Sequence, residues 1–459
     1  MQHTNQSNYC AATTAAQKTH RGILTVTALL FCGLAVQLVA QSSPVMKVVA
    51  EKGFTVAPDV FTPVVLRTQP DAVCDLHGED ENGNGPAMRI YANGDGYVKI
   101  QARPKEESQE ARAQLDCASP KGLITRYPLL LRVGSSPTSD MPSPASEIPI
   151  PKGSHLQPGL TEAEAQQFSD DELMSRGYPP RPDSPEAYAT WFEVVRRPSV
   201  HVDEHLVTHS DIYHHAVHAG VTDNKNWSGY VGDSPTNRAY SSVHGEWNMP
   251  PLVACENATS TYSAFWIGLD GYFLPELSQE GTEQDCYDIG GSYYTYYFAW
   301  TELLPNQPFE EQITGFSPNP GDYMYATLWI GNSAGVRTDN GSGAYVWYYV
   351  NDITQGGVYT QFGVKLAGTH FYGKTVEWVM ERPALRGGGL AELSDYGDAT
   401  MLNAQGFTTR GRWENYSALG HLLQLWLYNE SVNGPGNDLL SSADYAGAST
   451  IDYWWFNWH

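Results

Sequence analysis

Positive charge is scarce in this sequence. Its 459 residues include 27 lysines and arginines against 51 acidic residues, so the formal net charge is −24. Such a balance repels phosphate backbones and anionic lipids, which disfavours binding to nucleic acid or to a membrane surface. The length predicts two or three folded units, and an apolar content of 41% suffices for packed cores. Function is therefore expected to come from local sites.

Several catalytic and metal-binding signatures are also missing. The Asp-Thr-Gly and Asp-Ser-Gly motifs of aspartic peptidases do not occur, which disfavours a pepsin-like pair of aspartates. Neither Cys-x-x-Cys nor His-Glu-x-x-His is present, so the usual spacings of zinc ligands are lacking. The sequence predicts no metal and no other cofactor.

An apolar run at residues 22–40 follows Lys18, His20 and Arg21. This pattern predicts a secretory signal peptide over residues 1–40, cleaved near Ala40, and hence a secreted protein with no membrane contact after removal of the signal. A membrane anchor is the weaker alternative, because the apolar core is short and no basic stop-transfer cluster follows it.

Cysteine is sparse as well, with only 6 in the chain. Removal of the leader leaves Cys74, Cys117, Cys255 and Cys286, an even number in an exported chain, which predicts two disulfides. Four cysteines allow three connectivities, and proximity along the chain favours pairing the first with the second and the third with the fourth.

Composition divides the rest of the chain into three parts. Residues 41–133 predict a small β pro-domain, with a hairpin turn at residues 93–96. Residues 134–220 predict a proline-rich linker and a helical prosegment. The prosegment is expected to contain two short helices. A capping box, Thr161 with Glu164, predicts the first. The second is predicted to start at Ser184-Pro185 and to have an apolar face formed by Tyr188, Trp191, Phe192 and Val195.

Residues 221–459 predict an all-β domain. Twelve of the 13 tryptophans lie here, and alternating aromatic runs recur between Gly, Asn and Pro turns. This texture is typical of a β-sandwich or barrel. The part carries 26 acidic and 9 basic residues, so it accounts for most of the negative charge.

One predicted strand, residues 375–381, places two carboxylates on one face. With a strand period of two, Glu377 and Glu381 point the same way, about 13 Å apart, which is too far for both to act on one bond. Two solvent-facing residues of a half-buried strand would give the same pattern.

Four segments, read together, resemble the glutamic peptidases, the eqolisin (peptidase G1) family of acid endopeptidases. They are Asn226-Trp227-Ser228-Gly229, residues 264–271 (AFWIGLDG), Gln279-Glu280-Gly281-Thr282 and residues 376–381 (VEWVME). The resemblance covers about residues 222–459, and the run at 179–183 (PPRPD) resembles the segment ahead of the peptidase domain in bacterial-type members. It implies a lectin-like sandwich of two antiparallel sheets.

The resemblance also implies the catalytic pair, a glutamine and a glutamate. Gln279 matches the glutamine because a glycine follows it two residues later, although Gln284 lies in the same polar stretch, interpreted as a loop. Glu381, the second glutamate of its strand motif, matches the glutamate. A carboxylate can take a proton from water and return it to the leaving amine, while a neutral amide donates to the oxyanion.

Three further residues are assigned supporting or substrate-binding roles by the resemblance. Trp266 matches a tryptophan beside the active site, Asp270 belongs to the Trp-x-Gly-x-Asp-Gly segment, and Glu302 matches an acidic residue near the pair. The sequence departs from the family around Glu302, where Phe298 precedes it and two leucines follow. Each of the three also has a simpler explanation as core, turn or edge-strand residue.

Histidines crowd the junction ahead of the β domain. His201, His205 and His209 are spaced i, i+4, which on a helix could bind a metal, but valines interrupt the helical pattern. A solvated or pH-sensitive junction is the favoured interpretation.

The sequence therefore predicts a secreted, monomeric acid endopeptidase made as a zymogen. Its partners are protein or peptide substrates and its own pro-region, which acts as an intramolecular inhibitor. The amphipathic helix over residues 185–195 is expected to lie across the acidic groove of the β domain. The alternative function is a lectin-like carbohydrate-binding protein or glycoside hydrolase on the same sandwich.

Overall fold

The computed structural model describes most of the chain beyond the predicted leader. The described residues are 46–57, 60–78, 86–105, 109–134, 151–214, 223–234, 239–252, 255, 259–315, 317–338, 343–387, 389–408, 410–429 and 439–457. The predicted signal peptide and the proline-rich run at 135–150 lie outside these ranges. Within them, no helix is both long and apolar enough to cross a membrane.

The first part of the described chain is rich in strands, as predicted. The strands are β1 (Met46–Val48), β2 (Lys52–Val56), β3 (Thr62–Arg67), β4 (Val73–Gly78), β5 (Ala87–Tyr91), β6 (Tyr97–Pro104), β7 (Glu110–Ala118) and β8 (Ile124–Val133). One sheet runs in the order β1-β8-β7-β4-β5, with β2 also paired to β8. Cys74 and Cys117 face each other on β4 and β7 and form the predicted disulfide.

The predicted hairpin is only partly right. Residues 93–96 do form a tight turn, in which the amide of Gly96 donates to the carbonyl of Asn93. However, β5 pairs with β4, whereas β6 pairs with β3 and with a strand of the β domain. The turn therefore joins two different sheets, because β6 finds its partners outside the small β unit.

The prosegment combines short strands with helices. Its elements are β9 (His155–Gln157), α1 (Glu162–Gln167), α2 (Asp170–Ser175), α3 (Pro185–Val195), β10 (Ser199–His201), β11 (Leu206–Thr208) and β12 (Ile212–Tyr213). Both predicted helices are confirmed, with Thr161 and Ser184 as their N-caps. The prediction missed α2, although Ser169 and Glu172 form a second capping box there.

The β domain is built from long strands. They are β13 (Asp223–Asn224), β14 (Trp227–Asp233), β15 (Tyr240–Asn248), β16 (Ser260–Asp270), β17 (Leu277–Ile289), β18 (Ser292–Leu304), β19 (Gln307–Ile313), β20 (Tyr323–Gly331), β21 (Tyr345–Asp352), β22 (Val358–Lys365), β23 (Thr375–Glu381), β24 (Ala384–Leu385), β25 (Gly389–Leu390), β26 (Asp398–Thr408), β27 (Arg412–Asn415), β28 (Leu422–Tyr428), β29 (Leu439–Gly447) and β30 (Thr450–Trp455), with a 3-10 turn at Tyr416–Ala418. The predicted sandwich of two antiparallel sheets is confirmed.

The first sheet runs in the order β28-β14-β23-β16-β17-β18, with β19 on the outer edge of β18. The second sheet runs β22-β21-β20-β15-β26-β30-β29. Strand β28 pairs with β14 in the first sheet and with β29 in the second, so the sheets are continuous at that edge. A disulfide between Cys255 and Cys286, as predicted, ties the loop after β15 to β17.

The sandwich core lies between the two sheets. Phe265, Trp378 and Met380 of the first sheet pack there against residues such as Leu328 and Val350 of the second, all of them buried. Burying such aromatic and branched side chains stabilises each by about 1.5–3 kcal/mol relative to exposure. Alternate residues of β23 face away from this core, which leaves its glutamates on the outer face of the first sheet.

The pro-region covers the outer faces of both sheets. Side chains of the small β unit pack on the outer face of the first sheet, against Trp227, Trp266 and Trp300. Trp191 of α3 packs instead on the outer face of the second sheet, against aromatic residues that include Trp329. The expectation that α3 lies over the acidic groove is therefore wrong, because its apolar face finds an aromatic surface on the opposite side of the sandwich.

Strands of the pro-region also extend the sandwich. Strand β6 pairs with β18, β11 with β19, and β10 with β22. This addition protects sheet edges that would otherwise expose unpaired backbone groups. The division of the chain at residues 133 and 220 stays a prediction.

Candidate active site

Strand β23 places Glu381 in the middle of the first sheet. It lies between β14 and β16, and all seven of its residues are buried. Glu377 and Glu381 share a face, as the alternation predicts, but both are fully buried, so the alternative interpretation as solvent-facing residues is wrong. Burial raises the pKa of the Glu377 carboxyl well above its usual range.

Gln279 lies on β17 rather than in a loop. It stands opposite Gly268 of β16 and Glu302 of β18. The stretch around it contains so many polar residues that it lacks the apolar alternation of an ordinary strand. These polar side chains are buried on both faces of the strand instead of facing water, which is why the loop interpretation failed.

Three donors surround the carboxylate of Glu381. Trp266 Nε1 donates to Oε2 at 2.9 Å, and Asn226 Nδ2 donates to Oε1 at 2.8 Å. The third is His214 Nδ1, which lies 3.2 Å from Oε2. Trp266 thus lies at the site that the resemblance implied. Asn226 belongs to a motif segment but had no predicted role, because its neighbour 155 residues away is invisible in the sequence.

The amide of Gln279 is held by two acceptors. Its Nε2 donates to Glu302 Oε2 at 2.5 Å and to the main-chain carbonyl of His214 at 3.0 Å. Burial raises the pKa of Glu302 well above its usual range. The phenol of Tyr348 also donates to the carbonyl of Glu302, at 3.2 Å. Glu302 therefore contacts the amide of Gln279, and its supporting role stays a prediction.

His214 joins the two halves of the site. It directly follows β12, which pairs with β24, and it is fully buried. Its ring stacks on Trp300 with the centroids 4.0 Å apart and an angle of 9° between the planes. The same residue therefore contacts Gln279 through its carbonyl and Glu381 through its side chain.

The far edge of the His214 ring meets two more carboxylates. Its Nε2 lies 2.9 Å from Glu310 and 3.3 Å from Glu283, both fully buried. Burial alone lowers the pKa of a histidine, but Glu381, Glu283 and Glu310 raise the pKa of His214 well above 6.5. His214 is consequently an imidazolium that neutralises a buried acidic cluster.

Glu310 has a second histidine partner in the prosegment. His209 Nδ1 lies 2.6 Å from its Oε1. Burial opposes ionisation of Glu310, yet His209 and His214 lower its pKa to about 2. His209 and His214 are thus buried against carboxylates rather than solvated, whereas the side chain of His205 is partly exposed.

The predicted i, i+4 histidines do not converge. His201 and the residues near it lie on strands rather than on a helix; His205 approaches Asp71, and His209 approaches Glu310. Ligand atoms of His214, Glu283 and Glu310 do lie within 4.8 Å of one another, as metal ligands would. Direct pairing between the imidazolium and the carboxylates already accounts for that arrangement.

Asp270 does not lie among these side chains. Its carboxylate accepts four backbone N–H groups, those of residues 372–375, at 2.6–3.3 Å. These residues lead directly into β23. Asp270 therefore supports the site at a distance, by holding the start of the strand that carries Glu381.

We expect Asp270→Ala to lower the free energy of unfolding by about 3 kcal/mol or more, because four N–H groups, two of them buried, lose their acceptor. Asp398→Ala, at the exposed start of β26, is the control and should change it by less than about 0.5 kcal/mol. Chemical denaturation with tryptophan fluorescence measures both. Equal midpoints for the two variants would contradict the role given to Asp270.

The chain is similar to a known protein family and to solved structures. Residues 225–451, which hold most of the sandwich, match the model described as the Peptidase A4 family. This part of the chain belongs to that family, as the eqolisin resemblance predicted, and the protein is a glutamic peptidase. No curated protein matches the chain.

Two solved structures resemble the fold. One is scytalido-glutamic peptidase with a peptide-based transition state analogue: the identity is 15% and the TM-score 0.37, over 50% of this chain and 98% of that chain. The other is SCP-B, a member of the eqolisin family of peptidases, in a complex with the tripeptide Ala-Ile-His: the identity is 14% and the TM-score 0.35, over 50% and 98% of the two chains.

Proposed function

We propose that the protein is a secreted acid endopeptidase, made as a zymogen, in which Glu381 and Gln279 cut the peptide bond. The observation that carries the proposal is the contact of both side chains with one residue. Gln279 donates to the carbonyl of His214 at 3.0 Å, and Glu381 accepts from the same residue at 3.2 Å. The Gln279 amide and the Glu381 carboxylate thus contact the same peptide residue, His214, one through its carbonyl and the other through its side chain.

The reaction follows from these positions. Glu381 takes a proton from a water molecule, whose oxygen forms a bond to the carbonyl carbon of the substrate. Negative charge that develops on the carbonyl oxygen is stabilised by the N–H of Gln279. Glu381 then returns the proton to the amide nitrogen as the C–N bond breaks. Asn226 and Trp266 donate to the carboxylate and hold it in place for this proton transfer.

Gln279 suits an acidic environment because an amide does not titrate. Its donor stays available at a pH that protonates most carboxylates. Glu302 holds the amide with Nε2 directed at the position of the substrate carbonyl, since it takes the other N–H of the same nitrogen. We therefore assign Glu302 as a positioning residue and Trp266 as a wall of the substrate site.

The pro-region is proposed to be the inhibitor, acting through the segment 206–214 rather than through α3. This segment is held by the pairing of β11 with β19 and of β12 with β24. It delivers the His214 side chain to Glu381, where the attacking water must bind. The carbonyl of His214 meanwhile occupies the donor of Gln279, so a substrate cannot enter.

The activity test uses the chain from residue 41, incubated at about pH 3.5 and then given either denatured protein or polysaccharides. We expect peptides from the protein and no sugar release, with most activity below pH 5, because acid releases the prosegment from the site. Pepstatin and metal chelators should leave the rate unchanged. Sugar release without proteolysis would support the carbohydrate alternative, and loss of activity on chelation would restore a metal role for the histidines.

A further inference from the structure

We propose that the pocket filled by the His214 ring is a substrate subsite for a basic side chain, that of lysine or arginine, on the residue that supplies the scissile carbonyl. The proposal rests on the function proposed above. The subsite adds a preference for a particular substrate side chain, and Glu283, Glu310 and Trp300 determine that preference. The position of the prosegment in the site supports this assignment.

The main chain of His214 lies as a substrate would. Its carbonyl oxygen accepts the N–H of Gln279, which is the donor assigned to the carbonyl that is attacked. The side chain of the same residue therefore shows where the side chain next to the scissile bond must go. That place is the pocket between Trp300 and the two glutamates.

The pocket has the two components of a cation site. Its wall is the flat face of Trp300, on which a positively charged group or an alkyl stem can lie. Its end is formed by the carboxylates of Glu283 and Glu310, each fully buried. Both glutamates belong to the first sheet of the β domain, so they stay when the prosegment leaves.

Departure of the prosegment leaves the pocket short of positive charge. The cations that lower the pKa of Glu310 in the closed chain are His209 and His214, and both lie in the segment that must withdraw. A buried carboxylate without a partner is costly, so a substrate cation that enters the pocket replaces a lost interaction. A neutral side chain of the same length cannot do so.

A lysine differs from His214 in one respect that matters for catalysis. The histidine ring carries Nδ1 at the point where it meets Glu381, and so it occupies the place of the attacking water. The lysine stem carries no polar atom there, and only its terminal Nζ reaches the glutamates. Histidine at this position thus inhibits, whereas lysine leaves Glu381 free to bind water.

The test uses acid-activated chain and peptides that differ only in the residue before the scissile bond. We expect kcat/KM to be at least about tenfold higher for lysine than for norleucine, which corresponds to about 1.4 kcal/mol. Glu310→Gln should bring the ratio near one by slowing the lysine peptide alone. Glu311→Gln is the matched control, because Glu311 is the next residue of β19 and bonds to Thr208 outside the pocket.

Glu283→Gln is the second pocket variant, and thermal unfolding shows which variants fold. Equal cleavage of the two peptides by the wild-type chain, or an unchanged ratio in both folded pocket variants, would overturn the subsite. A binding measurement distinguishes failure of the subsite from failure of the proposed function. The His214→Ala chain is titrated with the same two peptides, in which the scissile bond is reduced and cannot be cleaved. Tighter binding of the lysine peptide by about tenfold supports the subsite even without hydrolysis, and equal binding overturns it.

Discussion

Glu381→Gln should abolish peptide hydrolysis and leave the fold intact. The amide has nearly the same shape as the carboxylate but cannot take a proton from water, so we expect kcat to fall by about 10⁴. Gln279→Ala should lower kcat by about 10²–10³, as removal of an oxyanion donor does. Initial rates on a peptide at pH 3.5 measure both effects, and circular dichroism checks the fold.

Glu377→Gln is the matched control for this prediction. Glu377 lies on the same strand and the same face as Glu381, and both are fully buried. Because burial raises the pKa of Glu377 well above its usual range, the side chain is already neutral in acid, and an amide should replace it with less than about a threefold change in rate. A Glu381→Gln enzyme that keeps a tenth or more of the wild-type rate would refute the assignment.

His214→Ala should activate the uncut chain. Without the imidazole, water can reach Glu381, and the prosegment loses its contacts with Glu283 and Glu310. We expect the initial rate of the intact chain on a small peptide at pH 5 to rise by about tenfold or more over wild type. His205→Ala is the control on the same segment: its ring is partly exposed and pairs with Asp71, away from the site.

Acid should release the prosegment only below about pH 4.5. The pKa of Glu310 falls from 4.5 to about 2 in the closed chain, so its contribution is complete above 4.5 and is lost as the pH falls toward 2. The pKa of His214 is raised well above 6.5, so its contribution is complete below 6.5 and is lost only as the pH rises through the raised value. The closed state is therefore most stable between about pH 4.5 and 6.5.

The other acidic groups around His214 do not reverse this pH dependence of the closed state. Burial raises the pKa of Glu283, Asp285 and Glu302 well above the usual range, so a fall in pH toward 4.5 does not weaken the closed state through them. Glu381 faces Nδ1, and His209 shares Glu310.

The rate of fragment formation, followed by gel electrophoresis from pH 6 to pH 2.5, should rise by up to tenfold per pH unit below 4.5. Glu310→Gln should remove this dependence. The release hypothesis would be wrong if fragments formed fastest at pH 6, or if the His214→Ala chain were folded and no more active than wild type.

Much of the β domain could be predicted because local patterns fix it. Alternation in residues 375–381 predicted both the strand and the shared face of Glu377 and Glu381, since a period of two holds wherever the strand lies. The capping residue Thr161 and the spacing of the four cysteines were also sufficient for their helix and disulfides.

Two predictions were wrong because they did not identify what buries a segment: one concerned a polar stretch and the other the apolar face of a helix. The run around Gln279 was interpreted as a loop because polar residues usually face water, whereas here they are buried on both faces of β17. Helix α3 was correctly predicted, but its partner surface was not, because an apolar face specifies burial without specifying against what.

Short motifs and a period of two were enough to predict the family, the strands and the two residues proposed to cut the bond. The contact of His214 with Glu381, 167 residues away, and the closure of the pocket by Glu283 and Glu310 depend on how the folded chain packs. Such a cluster forms because buried carboxylates require a cation, and the sequence does not indicate which of many distant histidines supplies it.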